Sequence, residues 1–302
     1  MDPSRVPDYL VIGHVCRDVI LSPGGEPQPS FGGTVTYAAR TVRALGLKVA
    51  VVTSAAPDVS LTPILPGIAV HCVPSASTTT FENRYDGSQR SQILRATAAP
   101  ISLDDVPALW RQASLVHLGP VAQEVDPALV TAFPAALVGV TPQGWLRAWD
   151  ETGRVYPHSQ TEERLRGLLA GDGRPGPDAV VLSIEDVGGD EEVVARLAAC
   201  ARRCLLVVTR GELGATLYVR GKAEHIPAPR VRAVDPTGAG DIFAAAFFAG
   251  LLKTRDPHRA ARLAVCLASA SVRRPGLDGI PKAAELKRCR AQSLPKFKNM
   301  VS

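Results

Sequence analysis

The chain reads as an α/β protein built on a doubly wound, mainly parallel sheet with helices on both faces and a small β lid. Three observations predict this. Apolar runs of strand length alternate with segments of helical period through most of the 302 residues, which is the pattern of crossover units around a parallel sheet. The runs are continuously apolar, as strands covered on both faces are. One stretch, residues 69–98, breaks the alternation with Val, Thr, Phe and Tyr and no helical period.

Taken in order, the apolar runs predict strands at Tyr9–Gly13, Val49–Thr53, Leu115–Leu118, Leu137–Val140, Ala179–Leu182 and Leu205–Thr209. Helices are expected between them at Thr34–Leu45, Asp104–Gln112, Pro127–Phe133, Glu162–Ala170 and Glu191–Arg202. Inside the exceptional stretch, Thr78–Tyr85 and Gln89–Arg95 flank an Asp86-Gly87 turn signal and predict a hairpin. A hairpin inserted early in an α/β chain suits a lid over a site. A second β-rich patch, Ala215–Val231, precedes the final helices. With no repeat and no low-complexity linker, one domain over residues 1–302 is expected, with the lid at 69–98 and a basic C-terminal tail at 282–302.

Composition excludes several classes. Hydrophobic residues make up 46% and charged residues 21%, which rules out a disordered or collagen-like chain. The longest apolar stretch, Ile242–Leu252, falls short of the roughly 20 residues of a membrane span. The polar, proline-bearing start lacks the pattern of a secretory signal, so a cytoplasmic protein is expected. The net charge of +5 resides in the tail, where six basic residues stand against Glu285 alone, leaving the first 281 residues balanced. That distribution argues against nucleic acid as a partner, and the tail is expected to be solvated or frayed. The six cysteines show no C-x-x-C spacing, so neither zinc nor a disulfide is expected.

The chemistry is carried by Asp235-Pro236-Thr237-Gly238-Ala239-Gly240-Asp241, followed by the apolar run from Ile242. Small residues let the backbone turn closely, and the run behind them reads as a buried helix. The amides of Gly238, Ala239 and Gly240 would then point outward at the positive end of a helix dipole, an arrangement that binds anions. In phosphoryl transfer such amides would hold the oxygens of the migrating group. Asp241 beside them could take the proton of a hydroxyl nucleophile. Taken alone, a G-x-G-D run could equally be a capped helix start.

This signature resembles the D-x-T-G-A-G-D motif of the ribokinase-like, phosphofructokinase B-type carbohydrate kinases, and further matches follow that family's order. Gly13-x4-Asp18 resembles the position where these enzymes set an Asp on substrate hydroxyls. Gly32-Gly33 resembles the glycine pair that lines the sugar and forms a hinge. Val208-Thr209-Arg210-Gly211-Glu212-Leu213-Gly214 resembles the segment that contacts the nucleotide. The resemblance implies ATP as donor, Mg2+, Asp241 as base and the hairpin as substrate lid. It also implies Thr209, Gly211, Gly214 and Thr237 near the donor. Asp235 matches a position that in several members helps to bind K+.

Departures from the pattern bear on the substrate. Tyr37 stands where members often carry an Asn, which argues against ribose. The family's N-x-x-E stretch, which holds the Mg2+ water shell, is represented by Ser183-Ile184-Glu185-Asp186, leaving Glu185 and Asp186 as alternatives. Arg210 replaces a commonly apolar residue and offers a guanidinium to phosphate or to solvent. Thr141-Pro142-Gln143-Gly144-Trp145-Leu146-Arg147 resembles a segment of the inositol kinase-like branch, making Gln143 and Arg147 candidates near substrate or phosphate. Asn83 on the hairpin could reach a polyol hydroxyl. His14 and His117 are read as structural. The expected activity is an ATP-dependent kinase acting on a small sugar or a cyclitol such as inositol, as a monomer or a lid-paired homodimer. The rivals are a nucleoside kinase, with Tyr37 or Phe81 stacking on a base, and a binding protein without catalysis.

Overall fold

The computed structural model describes residues 5–21, 28–86, 89–171 and 176–294. Its main sheet contains β1 (Tyr9–Ile12), β4 (Val49–Ala55), β5 (Ala69–Pro74), β8 (Leu115–Leu118), β9 (Leu137–Val140), β12 (Ala179–Ser183), β13 (Leu205–Thr209), β14 (Ala215–Val219) and β15 (Lys222–Ile226). The order is β15-β14-β13-β12-β9-β8-β1-β4-β5. Strands β13 to β5 in that order run parallel, and β14 and β15 close one edge antiparallel. β1, β4, β8 and β9 are buried at every position, which is why their sequences lack alternation.

Helices cover the sheet: α1 (Thr34–Ala44), the single turn α2 (Leu61–Ile64), α3 (Thr161–Ala170), α4 (Glu191–Cys200), α5 (Ala239–Thr254), α6 (Pro257–Ser271) and α7 (Ala283–Gln292). One apolar cluster joins α1, α5 and α6 to the sheet, while a second packs α3 and α4 on the opposite face. α5 is buried from Ile242 to Leu251 without a solvent stripe, so it is a central helix rather than an amphipathic surface one.

A second sheet has the order β3-β2-β6-β7, from β2 (Cys16–Leu21), β3 (Gln28–Gly32), β6 (Thr80–Asp86) and β7 (Gln89–Ala96). β6 and β7 form the expected hairpin, although Gly87 lies outside the described residues. Residues 69–74 do not belong to it: they form β5, an edge strand of the main sheet. The hairpin edge is not free either. β6 pairs with β2, and β7 meets a short ribbon of β10 (Arg147–Trp149) and β11 (Val155–Pro157), whose Gly153 carbonyl accepts the Leu94 amide at 2.8 Å.

Four further expectations are corrected. Residues 104–112 form no α-helix but two 3-10 turns, Leu103–Asp105 and Trp110–Gln112. Pro107 lacks an amide and holds Val106 extended between them. Pro127–Thr131 is likewise a 3-10 turn. A disulfide joins Cys266 in α6 to Cys289 in α7, and α7 is a docked helix, with Arg274 bridging Glu285 and Arg290 donating to the Leu45 carbonyl. The basic stretch is therefore ordered through residue 292, while Lys296 and Lys298 lie outside the described residues.

The loops after β1 and β8 are fastened together by the buried Glu124. Its carboxylate accepts the amides of His14, Val121 and Ala122 at 3.1, 3.0 and 2.7 Å. Glu124→Leu would leave three buried N–H groups without their acceptor, at roughly 1–3 kcal/mol each. Urea unfolding is expected to show a loss of at least about 3 kcal/mol, and a smaller loss for Glu124→Gln, which keeps one acceptor oxygen. A loss below about 1 kcal/mol in Glu124→Leu contradicts this fastening role.

Candidate active site

From β1 the sheet grows outward in both directions, to β4 and β5 on one side and to β8, β9, β12 and β13 on the other. The crevice beyond the carboxyl ends at such a reversal is where open α/β sheets place ligands. The loops there carry most of the candidates: Gly13–Asp18 after β1, Thr141–Arg147 after β9, Ser183–Asp186 after β12 and Thr209–Gly214 after β13.

α5 enters this crevice at its N-terminus. Gly238 caps it with φ +75°, and a Cβ there would lie 2.3 Å from the Tyr37 ring, so only glycine fits. The Ala239 amide is directed to the Pro236 carbonyl at 3.1 Å and is thereby withdrawn from the expected anion-binding set. The amides of Gly240 and Asp241 have no carbonyl partner among the described residues. A Cβ on Gly240 would meet open space, so the first turn is unobstructed at that position.

Asp241, the third residue of α5, sits among other ionisable groups. Burial raises its pKa from 3.8 to about 6, against a hydrogen bond from Thr34 and the charge of Arg147, while the Asp18 and Asp186 carboxylates push it further up. The side chains of Asp241, Asp18, Asp186, Thr34 and Arg147 thus form one electrostatic cluster, drawn from α5, β2, the turn after β12, α1 and β10. Thr34 was not singled out in the sequence. The signal for it was its place directly after the glycine pair at a helix start.

One side of the cluster is built on β2, β6 and β7. Asp18 Oδ1 accepts from Asn83 Nδ2 at 3.1 Å, and Asn83 Oδ1 accepts from Gln92 Nε2 at 3.1 Å. A Cβ on Gly32 would lie 2.7 Å from Asp18 Oδ2, and one on Gly33, at φ +85°, 2.6 Å from the His14 carbonyl. The glycine pair therefore lets β3 pass close to the carboxylate and start α1.

On the other side, Asp186 and Glu185 separate. Asp186 accepts the Ser183 amide at 2.8 Å and a hydrogen bond from Gln143, and feels the charge of Arg147. Burial nevertheless raises its pKa. Glu185 is exposed. Arg147 donates to the Val121 carbonyl at 3.1 Å, and its guanidinium carbon lies 5.6 Å from the Phe81 ring centre. Thr209 and Gly211 lie at the end of β13, and Gly214, at φ +100°, packs its α-carbon against the Ile226 carbonyl. Arg210 pairs with Glu191 and donates to the Thr216 hydroxyl at 3.1 Å, so its guanidinium is engaged away from the cluster. Asp235 accepts the amides of Thr237 and Gly276 at 2.9 and 2.7 Å. These bonds outweigh burial and hold its carboxyl below the usual range. Among the described residues no three metal-ligating side chains converge.

Neither aromatic ring proposed for base stacking is offered to a ligand. Tyr37 is 4% exposed beneath Gly238, and Phe81 is 3% exposed beneath Arg147. The two histidines are structural, as expected. His117 bonds Tyr9 and Thr141 in the core, where burial lowers its pKa to about 3, and His14 bonds Thr79 and the Ala99 carbonyl.

Residues 180–283, from β12 past α6, match the model of the pfkB family carbohydrate kinases. Over 287 residues the chain is 30% identical to inositol 3-kinase of Oryza sativa subsp. japonica, covering 89% of this chain and 69% of that enzyme. The chain belongs to the pfkB family of carbohydrate kinases. A fructokinase of Klebsiella pneumoniae is 33% identical over 186 residues, 57% of this pfkB chain and 60% of the fructokinase's length. A pyrophosphate-dependent myo-inositol-1 kinase, altered to a myo-inositol-3 kinase, superimposes with a TM-score of 0.77 at 22% identity, over 95% of this chain and 100% of that one. At that identity the likeness is one of ribokinase-type fold.

The raised pKa of Asp241 has a thermodynamic consequence. The folded pfkB protein binds a proton at this carboxyl more tightly than the unfolded chain does. Stability contributed by Asp241 is therefore lost as pH rises from about 4 to about 6, and the full penalty applies above that window. Asp241→Asn cannot ionise. Its melting temperature is expected to exceed that of the unaltered chain at about pH 8, with the gap closing toward about pH 4. A gap that is the same at both pH values contradicts the assignment.

Proposed function

We propose that the protein is an ATP-dependent kinase that transfers the γ-phosphoryl group to a hydroxyl of a small polyol, a sugar or a cyclitol of the inositol kind. The observation that carries this reading is a partly buried carboxylate with a pKa near 6 beside two unpartnered amides at the start of a buried helix. In the proposed reaction Asp18, steadied by Asn83, accepts a hydroxyl of the acceptor and orients it. Asp241 takes the proton of the attacking hydroxyl as its oxygen bonds to the γ-phosphorus and the bond from that phosphorus to the β,γ-bridging oxygen breaks, releasing ADP. The Gly240 and Asp241 amides receive oxygens of the migrating group, where charge spreads in the transition state, and the Arg147 guanidinium adds a positive charge. Asp186 is the one carboxylate that the turn after β12 contributes to the cluster, which suits an ion that keeps most of its waters, so it would hold the water shell of Mg2+. That ion supplies charge neutralisation on the donor phosphates. The small sheet bearing Asp18 serves as the lid that excludes water.

Two features support a nucleoside triphosphate over pyrophosphate as donor. A cavity of about 230 Å3 lies between the loop before α5 and the end of α6, walled by Pro229, Val231, Cys266, Ala270, Arg273 and Arg288. Val234 and Asp235 donate to the Val272 carbonyl, so the cavity adjoins the entrance of α5. Ser269 and Gln292 complete the wall, whose apolar side chains suit a base and whose Arg273 and Arg288 suit its phosphates, whereas pyrophosphate needs no apolar wall. The buried state of Tyr37 and Phe81 disfavours a nucleoside acceptor stacked on either ring.

Incubation with Mg2+, pooled sugars, cyclitols and nucleosides, and either ATP or pyrophosphate, tests the reading. A phosphorylated cyclitol or sugar formed with ATP is expected, while a product formed only with pyrophosphate overturns the donor assignment. Asp241→Asn should lower turnover at least about a hundredfold with ATP binding retained. For the unaltered enzyme, kcat/KM should fall about tenfold per pH unit below an apparent pKa of about 6, because only the ionised carboxylate accepts the proton. A profile flat down to about pH 4.5 excludes Asp241 as the base.

A further inference from the structure

We infer that Gln92 is a positioning residue that sets acceptor affinity by fixing which end of the Asn83 amide faces Asp18. The inference deepens the proposed kinase reading and rests on it. Asn83 can turn either its NH2 or its oxygen toward a neighbour, and the two choices have opposite effects on a carboxylate. The Gln92 Nε2 group, 3.1 Å from Asn83 Oδ1, claims the oxygen. The NH2 is thereby directed at Asp18 Oδ1, also at 3.1 Å.

Strand geometry makes this chain of amides a fixed part of the molecule. Asn83 and Gln92 are direct cross-strand partners in the β6–β7 pair. Phe81, Asn83, Gln92 and Leu94 alternate onto one face, with Phe81 and Leu94 packed against Cys16, whereas Glu82 on the opposite face pairs with Arg84 and Arg95. β7 is held on its outer edge as well, because the Leu94 amide donates to the Gly153 carbonyl and Ile93 bridges to Arg154. Asn83 is 3% exposed, so water is poorly placed to substitute for a lost partner. Its neighbour Asp18 is close enough to Asp241 to raise that carboxyl's pKa, so the orientation of the amide bears on the acceptor end of the cluster.

The replacement Gln92→Glu reverses the instruction. A carboxylate at position 92 can only accept, so Asn83 must turn its NH2 toward it and aim its oxygen at Asp18, or leave one contact unmade. In the first case Asp18 loses the Asn83 donor, and in the second the Asn83 amide loses the partner that fixes it. The acceptor KM of Gln92→Glu is expected to rise at least tenfold, with the donor KM unchanged within about twofold. Asn83→Leu fills the same volume without the amide and should raise the acceptor KM similarly. Because Gln92 acts through Asn83, the double variant Gln92→Glu/Asn83→Leu should be no worse than Asn83→Leu alone.

The experiment measures KM for acceptor and donor, and kcat, for these four proteins on the substrate found in the pooled assay. An acceptor KM within twofold of the unaltered chain in Gln92→Glu overturns the inference. So do effects that multiply in the double variant, or a donor KM that rises in step with the acceptor KM. Absence of turnover in the unaltered chain with every acceptor and either donor instead overturns the kinase reading, and this inference with it.

Discussion

The burial of α5 is the constraint on which the site depends. Ile242 to Leu251 are covered on all faces by α1, α6 and the sheet, so the helix cannot slide or rotate without opening the main core. At roughly 1.5–3 kcal/mol for each large apolar side chain withdrawn from water, that packing fixes the first turn far more firmly than any contact made by the turn itself. Gly238 then has one available conformation over the Tyr37 ring, and Asp241 follows three residues later. A polar first turn on an apolar helix is ordinarily its least secure part; here the helix body holds it in place.

Burial above all, with the Asp18 and Asp186 carboxylates adding to it against the Thr34 hydrogen bond and the Arg147 charge, keeps Asp241 from ionising readily. The cluster is costly to fold, as grouped buried carboxylates generally are. It is also poised to take up positive charge and to release or gain a proton near neutral pH, the two demands that transfer of a phosphoryl group to an alcohol makes on a protein. The same Arg147 lies over Phe81, with one nitrogen on the Val121 carbonyl, so its charge is held at a fixed place.

Continuously apolar runs made the central strands legible, and β8, β9 and β13 have the expected bounds because burial on both faces leaves a direct trace in composition. The signature at Gly238–Asp241 was legible for the same kind of reason: glycine and aspartate at that spacing answer a local backbone demand. β2 and β3 left no such trace. Arg17 and Asp18 interrupt β2, Pro29 and Gly32 interrupt β3, and each strand exists because of its partner rather than its own propensity. The disulfide was missed because pairing of Cys266 with Cys289 depends on α6 and α7 lying side by side, which no spacing rule encodes. Glu185 and Asp186 could not be ranked from sequence, since only the turn after β12 decides which carboxylate faces Arg147. Gln92 and Thr34 matter through one hydrogen bond each, below the resolution of composition or period.

The site is divided between two sheets, which meet through a small apolar cluster of Cys16, Phe81 and Leu94 with Val121 and Ala122 and through polar contacts. Asp18 and Asn83 belong to the small sheet, whereas Thr34, Asp186 and Asp241 belong to elements packed on the main one. At the junction the Arg17 amide donates to the Thr79 carbonyl, and His14 bonds both the Thr79 hydroxyl and the Ala99 carbonyl, gripping both strands of the hairpin at their base. Burial lowers the pKa of His14, so the neutral ring makes these contacts. Farther out, the β10–β11 ribbon fastens to β7 through Gly153 while its first residue, Arg147, reaches back to the Val121 carbonyl. A rotation of the small sheet about its base would therefore carry Asp18 and strain the Arg147 anchor together. The placement of the Asp18 carboxylate and of the Arg147 charge is in this way tied to one coordinate, and the cluster around Asp241 is complete only with both sheets in a single relative position.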